Sequence, residues 1–266
     1  MKIKPCAKIN LGLNIVNKRT DGYHDLETVF YPVPIYDEIE IIEGKETTFE
    51  IKGQSIEGDP EKNLVMRAYR MVAEHYPLPP VHIILDKQIP MQAGMGGGSA
   101  DCAFTIRLLN EQFRLGMGIG EMQQMAASLG ADCAFFIEAS PAYAEGIGER
   151  LSPIPLDLNG YRMVVVKPAV AVSTREAFSG IKVKRPAKNC RDIVMQPIET
   201  WRKELVNDFE DSIFPQHPEL AAIKQRLYEL GARYAAMSGS GSALFAFFDE
   251  APHLEKEFTD CKKWVL

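Results

Sequence analysis

A glycine-dense loop is the first segment of this chain whose residue types could do chemistry. Four glycines lie between Gly94 and Gly98, Ser99 follows them, and an apolar helical pattern begins at about Ala100. Glycines let backbone N–H groups approach a ligand closely, and the start of a helix attracts anions. The loop is not a P-loop, because no Lys follows Gly98, and Ser99 replaces the third glycine of a dinucleotide fingerprint. The spacing leaves two alternatives open, a phosphate loop of another kind or a tight connection.

A lysine and an aspartate could supply the acid–base chemistry that phosphate transfer requires. The alternation over residues 8–16 predicts a half-buried strand in which Lys8 shares the polar face with Asn10. Asp132 follows the helix stop at Gly130. An aspartate near bound phosphates can accept a proton from a hydroxyl, while a lysine stabilises negative charge. Most strand lysines are solvated surface residues, and spacing alone does not bring Lys8 and Asp132 together.

The elements that must position these residues form an α+β pattern, in two lobes. Period-two alternation and turn residues predict strands, the first four of them as an antiparallel meander, over residues 8–16, 26–33, 37–42, 48–52, 81–86, 134–137, 161–167, 233–237 and 243–249. Helical spacing and caps predict helices at 64–75 (capped by Asn63), 100–113, 121–129 and 218–230, with a capping box at 173–176. The proline-containing stretch 151–159 predicts a boundary between lobes 1–152 and 153–266.

Composition excludes several classes of function. The net charge of −6 argues against a nucleic-acid binder with a basic surface, and no apolar run approaches the length of a membrane span. The five cysteines are odd in number and widely spread, which predicts buried thiols rather than disulfides or a zinc site, and we expect no protein-held metal. The N-terminal residues show no targeting pattern, so a cytoplasmic location is expected.

The segment 90–101 resembles the phosphate loop of the GHMP kinases, which include galactokinase, homoserine kinase, mevalonate kinase and phosphomevalonate kinase. Further blocks narrow the resemblance to a branch of that superfamily whose acceptor carries a cytidine diphosphate. They occur in the same order as in that branch and span nearly the whole chain: 7–11, 21–24, 61–65, 130–132 and 237–241. The strand with Lys8 and Asn10, followed by Asp-Gly-Tyr-His, is the specific part of the match.

This resemblance implies a two-lobed GHMP kinase fold with mixed and antiparallel sheets and an active site in the cleft between the lobes. It implies transfer of the ATP γ-phosphate to the 2-hydroxyl of a cytidine-diphosphate-linked methylerythritol, in the non-mevalonate route to isoprenoid precursors. Asp132 is then the general base, Lys8 orients it and stabilises charge, and Asn10 positions the acceptor. No nucleic-acid or membrane partner is implied, and the sequence does not predict an oligomeric state.

The resemblance also implies the binding residues. Tyr23 and Phe30 stack on the cytosine, His24 hydrogen-bonds its edge, and Phe178 closes the other face. The residues implied to bind ATP are Asn63 beside the adenine and Gly94, Gly96, Gly97, Gly98 and Ser99 around the phosphates. Mg²⁺ is expected to arrive with ATP and to be held largely by phosphate oxygens, because Mg²⁺ gives up its water reluctantly.

The chain departs from the family pattern at three places. Ala100 replaces a second serine, Met95 replaces a leucine, and Cys133-Ala134 replaces Val-Pro. The first change removes a hydroxyl but not the backbone N–H groups of the loop. Two alternatives stay open: another GHMP kinase of the homoserine or mevalonate type, and a non-catalytic nucleotide-binding module.

Overall fold

A computed structural model describes all 266 residues and confirms the α+β class. The strands are β1 (Lys2–Ile3), β2 (Cys6–Lys18), β3 (His24–Tyr36), β4 (Glu38–Glu43), β5 (Thr48–Gly53), β6 (Val81–Lys87), β7 (Ala142–Glu145), β8 (Arg150–Pro153), β9 (Arg162–Lys167), β10 (Tyr234–Met237), β11 (Leu244–Phe248) and β12 (Lys262–Val265). The helices are α1 (Leu64–His75), α2 (Gly97–Phe113), α3 (Ile119–Leu129), α4 (Phe135–Glu138), α5 (Thr174–Ser179), α6 (Cys190–Val194), α7 (Ile198–Glu204), α8 (Phe209–Ile213) and α9 (Pro218–Glu229). No helix is long and apolar enough to cross a membrane.

The chain divides into two compact units that are interleaved along the sequence. Unit 1 comprises Met1–Lys8, Pro32–Met91 and Gly96–Ser140. Unit 2 comprises Ile9–Tyr31, Gln92–Met95 and Pro141–Leu266. The division into lobes 1–152 and 153–266 stays a prediction.

Unit 1 is built on a four-stranded sheet with the order β1-β4-β6-β5. Alternate residues of β6 are buried, and the last of them is the charged residue Lys87. Helix α1 packs on α2, and its buried residues recur at helical spacing from Val65 to Val72. Asn63 caps α1 as predicted, because its side chain accepts a hydrogen bond of 2.9 Å from the backbone N–H of Val65.

Unit 2 contains the antiparallel sheet β10-β11-β9-β12 and most of the sheet β2-β3-β7-β8. One apolar cluster joins the first sheet to α5, α8 and α9 and includes Leu13 and Ile15 of β2. Ser173 caps α5 by accepting a hydrogen bond of 3.1 Å from the backbone N–H of Glu176. Pro218 begins α9, and Gly231 follows its end with a φ of +98°.

Three predictions of local structure were wrong. The predicted strand 134–137 is helix α4, whose residues Phe135 to Ile137 are all buried, and an apolar run of that kind carries no period that separates helix from strand. The predicted meander fails because β6 lies between β4 and β5, and β5 pairs with β6 in parallel. Strand β2 is not half-buried, since its polar residues Lys8, Asn10 and Asn14 are as buried as its apolar ones.

Candidate functional site

Lys8 and Asp132, separated by more than 120 positions in the sequence, form an ion pair in unit 1. The Lys8 Nζ lies 3.4 Å from the Asp132 Oδ2. Lys8 is 3% exposed, whereas one third of the Asp132 side chain is exposed. Asp132 lies in the turn between α3 and α4, where the N–H of Cys133 donates to the carbonyl of Gly130. The Asp132 carboxylate is therefore accessible to solvent, while the buried Lys8 ammonium holds it in place.

The glycine loop enters α2 beside this pair. Gly96 adopts a left-handed φ of +69°, and α2 begins at Gly97 without a side-chain cap. A Cβ at Gly96 would lie 3.1 Å from the Lys8 Cε and 2.8 Å from the Phe136 ring. The absence of a side chain at Gly96 thus allows Lys8 to pack directly against the loop.

The first turn of α2 has the features of an anion site. The N–H of Ala100 donates to the carbonyl of Gly96, so the N–H groups of Gly97, Gly98 and Ser99 precede the intrahelical ladder. A Cβ at Gly98 would meet only one atom within 4 Å, at 3.8 Å. These N–H groups and the dipole of a 17-residue helix favour a phosphate. Ala100, at the departure from the family pattern, is fully buried.

In unit 2, the loop between β10 and β11 braces the start of the glycine loop. The Ser238 hydroxyl donates to the carbonyl of Gly94 at 2.9 Å, and a Cβ at Gly94 would collide with the carbonyl of Ser238. Gly94 itself has a φ of +70°. The Asn207 amide donates to the carbonyls of Met237 and Gly239, both at 2.8 Å. The loop that resembles the family at 237–241 therefore supports the backbone of Gly94.

Asn10 is buried in the same unit, 2% exposed, beside that bracing loop. Its amide donates a hydrogen bond of 3.0 Å to the Thr28 hydroxyl. Its Oδ1 would lie 3.2 Å from a Cβ at Gly239, which has a φ of +52°.

The aromatic residues of unit 2 separate into two groups. His24 and Phe178 are half-buried and stack with their ring centroids 5.0 Å apart, and Phe178 packs edge-on against Phe209. Tyr23 is exposed, with its N–H donating to Asp21. Phe30 is 1% exposed in the middle of β3, so its ring faces are covered by protein in this conformation. The structure brings His24 and Phe178 together, and the cytosine contacts of all four residues stay predictions.

A buried charge cluster lies under the first turn of α2. Lys87 Nζ contacts Asp37 Oδ2 at 2.5 Å and Asp101 Oδ2 at 2.6 Å. The Asp37 Oδ1 accepts the N–H groups of Gln88 and Ile89, whereas the Asp101 Oδ1 is buried without a hydrogen-bond partner. Burial raises the pKa of Asp101, although the charge of Lys87 opposes this. The pKa of Lys87 is raised because the two carboxylates outweigh its burial.

Sequence reasoning missed this cluster and the contact of Thr28 with Asn10. A signal for the cluster is present, since Lys87 ends an apolar strand just before the glycine run and Asp101 follows directly after it. Both charges therefore flank a loop that must be held rigidly. No signal in the sequence points to Thr28, because a threonine in a strand is ordinary.

Two family models match the chain. Residues 63–139 match the GHMP kinases N terminal domain, and residues 190–262 match the GHMP kinases C terminal. The first range contains Asn63, the whole glycine loop and Asp132, and the second contains the loop at 237–241.

Relatives match nearly the full length. A 4-diphosphocytidyl-2-C-methyl-D-erythritol kinase of Bacteroides fragilis is 52% identical over 256 residues, which cover 95% of this chain and 93% of the relative. The protein of the same name from Parabacteroides distasonis is 46% identical and covers 98% of this chain and 97% of its own length.

Solved structures agree with these relatives. The crystal structure of a 4-(cytidine 5'-diphospho)-2C-methyl-D-erythritol kinase superposes with a TM-score of 0.85 at 30% identity and covers 100% of this chain and 98% of that chain. A mevalonate kinase of Methanococcus jannaschii has a TM-score of 0.68 at 13% identity over 100% of this chain and 97% of that chain, which shows a shared fold alone.

Proposed function

Because the chain belongs to the 4-diphosphocytidyl-2-C-methyl-D-erythritol kinases of the GHMP kinase superfamily, and so is a small-molecule kinase that uses ATP, we propose the following reaction. The γ-phosphate of ATP passes to the 2-hydroxyl of 4-diphosphocytidyl-2-C-methyl-D-erythritol, in the supply of isoprenoid precursors. The acceptor oxygen forms a bond to the γ-phosphorus. The bond between the γ-phosphorus and the oxygen that bridges it to the β-phosphate breaks, and ADP leaves.

The glycine loop supports ATP as the phosphate donor. The uncapped start of α2, with backbone N–H groups at Gly97, Gly98 and Ser99, suits the phosphates. No group of three or more His, Cys, Asp or Glu side chains could form a metal cage. We therefore propose that Mg²⁺ is held largely by the phosphates, where it neutralises charge that develops in the transfer.

The pair of Lys8 and Asp132 supports the proton transfer. Asp132 is exposed enough to meet an acceptor hydroxyl, from which its carboxylate takes the proton as the oxygen attacks phosphorus. Lys8, held 3.4 Å away, orients this carboxylate. The position of Lys8 against Gly96 also sets a positive charge beside the phosphate loop.

The stacked pair of His24 and Phe178 supports a nucleobase in the acceptor. Stacking of a base on an aromatic ring contributes about 1 to 3 kcal/mol, and His24 has a ring nitrogen that can hydrogen-bond the base edge. Exposed Tyr23 can add a second ring when ligand binds. The buried Phe30 acts at this site only if its covering moves, so we rank it below the other three.

The single observation that carries this proposal is the Lys8–Asp132 pair beside the uncapped, glycine-rich start of α2.

The test incubates the purified protein with ATP and, one at a time, four acceptors: the cytidine compound, methylerythritol phosphate, homoserine and mevalonate. We expect ADP release with the cytidine compound alone, and a new phosphomonoester at the 2-hydroxyl by phosphorus NMR. Comparable turnover of homoserine or mevalonate would move the protein to another branch. Absence of ADP with every acceptor would favour a binding module.

A further inference from the structure

We propose that Thr28 is a positioning residue that fixes the orientation of the Asn10 amide for the acceptor substrate. Thr28 lies on β3, is fully buried, and contacts two groups of β2. Its hydroxyl donates to the carbonyl of Gly12 at 2.5 Å and accepts from the Asn10 Nδ2 at 3.0 Å. This inference rests on the proposed function and on the role in positioning the acceptor that the resemblance implies for Asn10.

The direction of these two hydrogen bonds follows from the donors that are present. The carbonyl of Gly12 can only accept, so the single hydroxyl proton of Thr28 must go to it. The Thr28 oxygen is then an acceptor toward Asn10, and only the NH₂ end of an amide can donate to it. The alternative orientation, with Oδ1 facing Thr28, would place two acceptors against each other in a buried site.

The two hydrogen bonds form a relay from the Gly12 carbonyl through the Thr28 hydroxyl to the Asn10 amide, and Gly12 fixes its first member. Its φ of +67° turns the carbonyl within an otherwise extended strand, and glycine adopts that conformation without strain. A Cβ there would lie 2.6 Å from Leu205 and 2.7 Å from the Cys190 sulfur, so no residue larger than glycine fits at this position. The carbonyl, the hydroxyl and the amide thus form a chain in which each member sets the orientation of the next.

The consequence concerns the acceptor rather than ATP. With its Nδ2 committed to Thr28, Asn10 has its Oδ1 beside the bracing loop, 3.2 Å from the Cβ position of Gly239, and since Asn10 is buried the acceptor reaches this oxygen only when its covering moves, as for Phe30. An amide oxygen held in this way accepts a hydrogen bond from a hydroxyl of an alcohol substrate. Neither of the two hydrogen bonds, from Thr28 to Gly12 and from Asn10 to Thr28, is made with the glycine loop, so we expect ATP binding to be independent of Thr28.

The test replaces the hydroxyl while keeping the shape of the side chain. Thr28→Val removes the acceptor of the hydrogen bond from the Asn10 Nδ2, and we expect the KM of the acceptor to rise about 10-fold or more with the KM of ATP changed less than about 2-fold. Thr28→Ser, which keeps the hydroxyl, is expected to restore the acceptor KM. The matched control is Thr105→Val, since Thr105 is also fully buried and its hydroxyl also donates to a carbonyl, that of Asp101 at 2.7 Å. This control is expected to leave the acceptor KM unchanged.

A double-mutant cycle separates positioning from a general structural effect. In an Asn10→Ala background, Thr28→Val should add less than about 2-fold to the acceptor KM, because no amide remains to be oriented. Additive effects, or a parallel rise in the KM of ATP, would overturn the proposal. If Thr28→Val does not fold, Asn10→Asp tests the relay from the other end. A carboxylate cannot donate to Thr28, so Asp is expected to be no better than Ala, and a wild-type KM for Asn10→Asp would also overturn it.

Failure of the proposed function is distinguished before any variant is made. If the wild-type protein does not phosphorylate the cytidine compound but accepts another alcohol of the panel, the proposed substrate is wrong. The same cycle is then run with that alcohol, and the relay is judged on its acceptor KM.

Discussion

The ion pair of Lys8 and Asp132 is unequal, because the ammonium is buried while the carboxylate reaches solvent. A buried ammonium that loses its partner is costly, so the two residues depend on each other. Asp132→Asn keeps the shape and removes the base, and we expect kcat to fall by roughly 10² to 10⁴ with a modest change in KM. Steady-state kinetics measure both, with Asp211→Asn on the exposed surface as the control for loss of one charge.

Lys8→Met should also lower kcat strongly, since methionine fills the buried space without the charge. The double variant should lose less than the sum of the single losses, because the two side chains act as a unit. Additive losses would show that they act separately. Near-normal turnover of folded Asp132→Asn would remove Asp132 from the role of base.

At this scale the sequence identified the candidates but not their geometry. Lys8 and Asp132 are so far apart in the sequence that their spacing does not predict a contact. The resemblance implied that they act together, and their separation of 3.4 Å agrees with this. Burial was misjudged for β2, whose polar face was expected to be solvated and is buried. Phe30 is also buried, and its contact with the cytosine stays a prediction. Neither outcome is local, because each depends on which distant strands pack over the side chain.

At the scale of elements, the start of α2 allows a clean test of the phosphate loop. Gly98 is the second residue of α2, and a side chain there would meet only one protein atom within 4 Å. Gly98→Val should therefore leave the fold intact and raise the KM of ATP about 10-fold or more, by keeping phosphate away from the backbone N–H groups. Gly120→Val is the matched control, since Gly120 is the second residue of α3 and its Cβ position is equally open.

Unchanged ATP affinity in folded Gly98→Val would mean that the loop is only a connection. Gly97 is a poorer choice for this experiment. A Cβ there would lie 2.9 Å from the Lys87 Nζ and 3.0 Å from Ile89, so a valine would disturb packing as well as any ligand. The left-handed glycines of the loop are Gly94 and Gly96, where the backbone itself requires glycine.

The cluster that joins β6 to α2 predicts how stability depends on pH. Burial raises the pKa of Asp101 above that of the unfolded chain, about 4, so the fold favours its protonated form. This stabilisation is present below the unfolded pKa and is lost as pH rises through the folded pKa. Asp101→Asn mimics the protonated form and can still accept from Lys87. The free energy of unfolding of Asp101→Asn minus that of the wild type should therefore increase by about 1 kcal/mol or more between pH 4 and pH 9.

Urea unfolding at the two pH values measures this difference. Asp260→Asn, which removes an exposed carboxylate, controls for the loss of one charge. A difference between wild type and Asp101→Asn that is constant across this range would contradict the raised pKa. If Asp101→Asn is markedly less stable than the wild type at pH 9, Lys87 requires the ionised form of Asp101.

Most elements were predictable because their signals are local. Helix α1 has a cap and an apolar face, α2 and α3 end at or beside the predicted residues, and α9 has Pro and Gly at its ends. The errors arose where the signal is not local. Helix α4 is a short buried run, and the short strands β7, β8 and β12 exist only through their antiparallel partners β3, β7 and β9.

At the scale of the whole molecule, the sheet order could not be predicted from the chain order. Strand β6 follows helix α1 in the sequence but lies between β4 and β5, and this makes β5 its parallel neighbour. The units are also interleaved, since Ile9–Tyr31 belongs with Pro141–Leu266. A proline-containing stretch in the sequence can indicate a boundary along the chain, but it cannot indicate that an N-terminal segment packs with residues 200 positions later.

This interleaving predicts that residues 153–266 do not fold cooperatively alone. The fragment keeps the sheet β10-β11-β9-β12 but loses Leu13 and Ile15 from its core. It also loses the backbone hydrogen bonds that Leu13 makes with Val206 and Asp208, at 2.9 and 2.8 Å. Burial of each of the two side chains contributes about 1.5 to 3 kcal/mol, a large part of a domain stability of roughly 5 to 15 kcal/mol.

Thermal unfolding followed by circular dichroism should therefore show one steep transition for the full chain and a shallow, non-cooperative change for residues 153–266. The informative control joins residues 9–31 through a flexible glycine–serine linker to residues 141–266, which restores most of β2 and of β3, together with β7 and β8, to the same chain. We expect this joined chain to regain a cooperative transition below the melting temperature of the whole protein, since it still lacks Gln92–Met95 and all of unit 1. A cooperative transition in residues 153–266 alone, near that of the full chain, would show that β2 is not needed to complete the core.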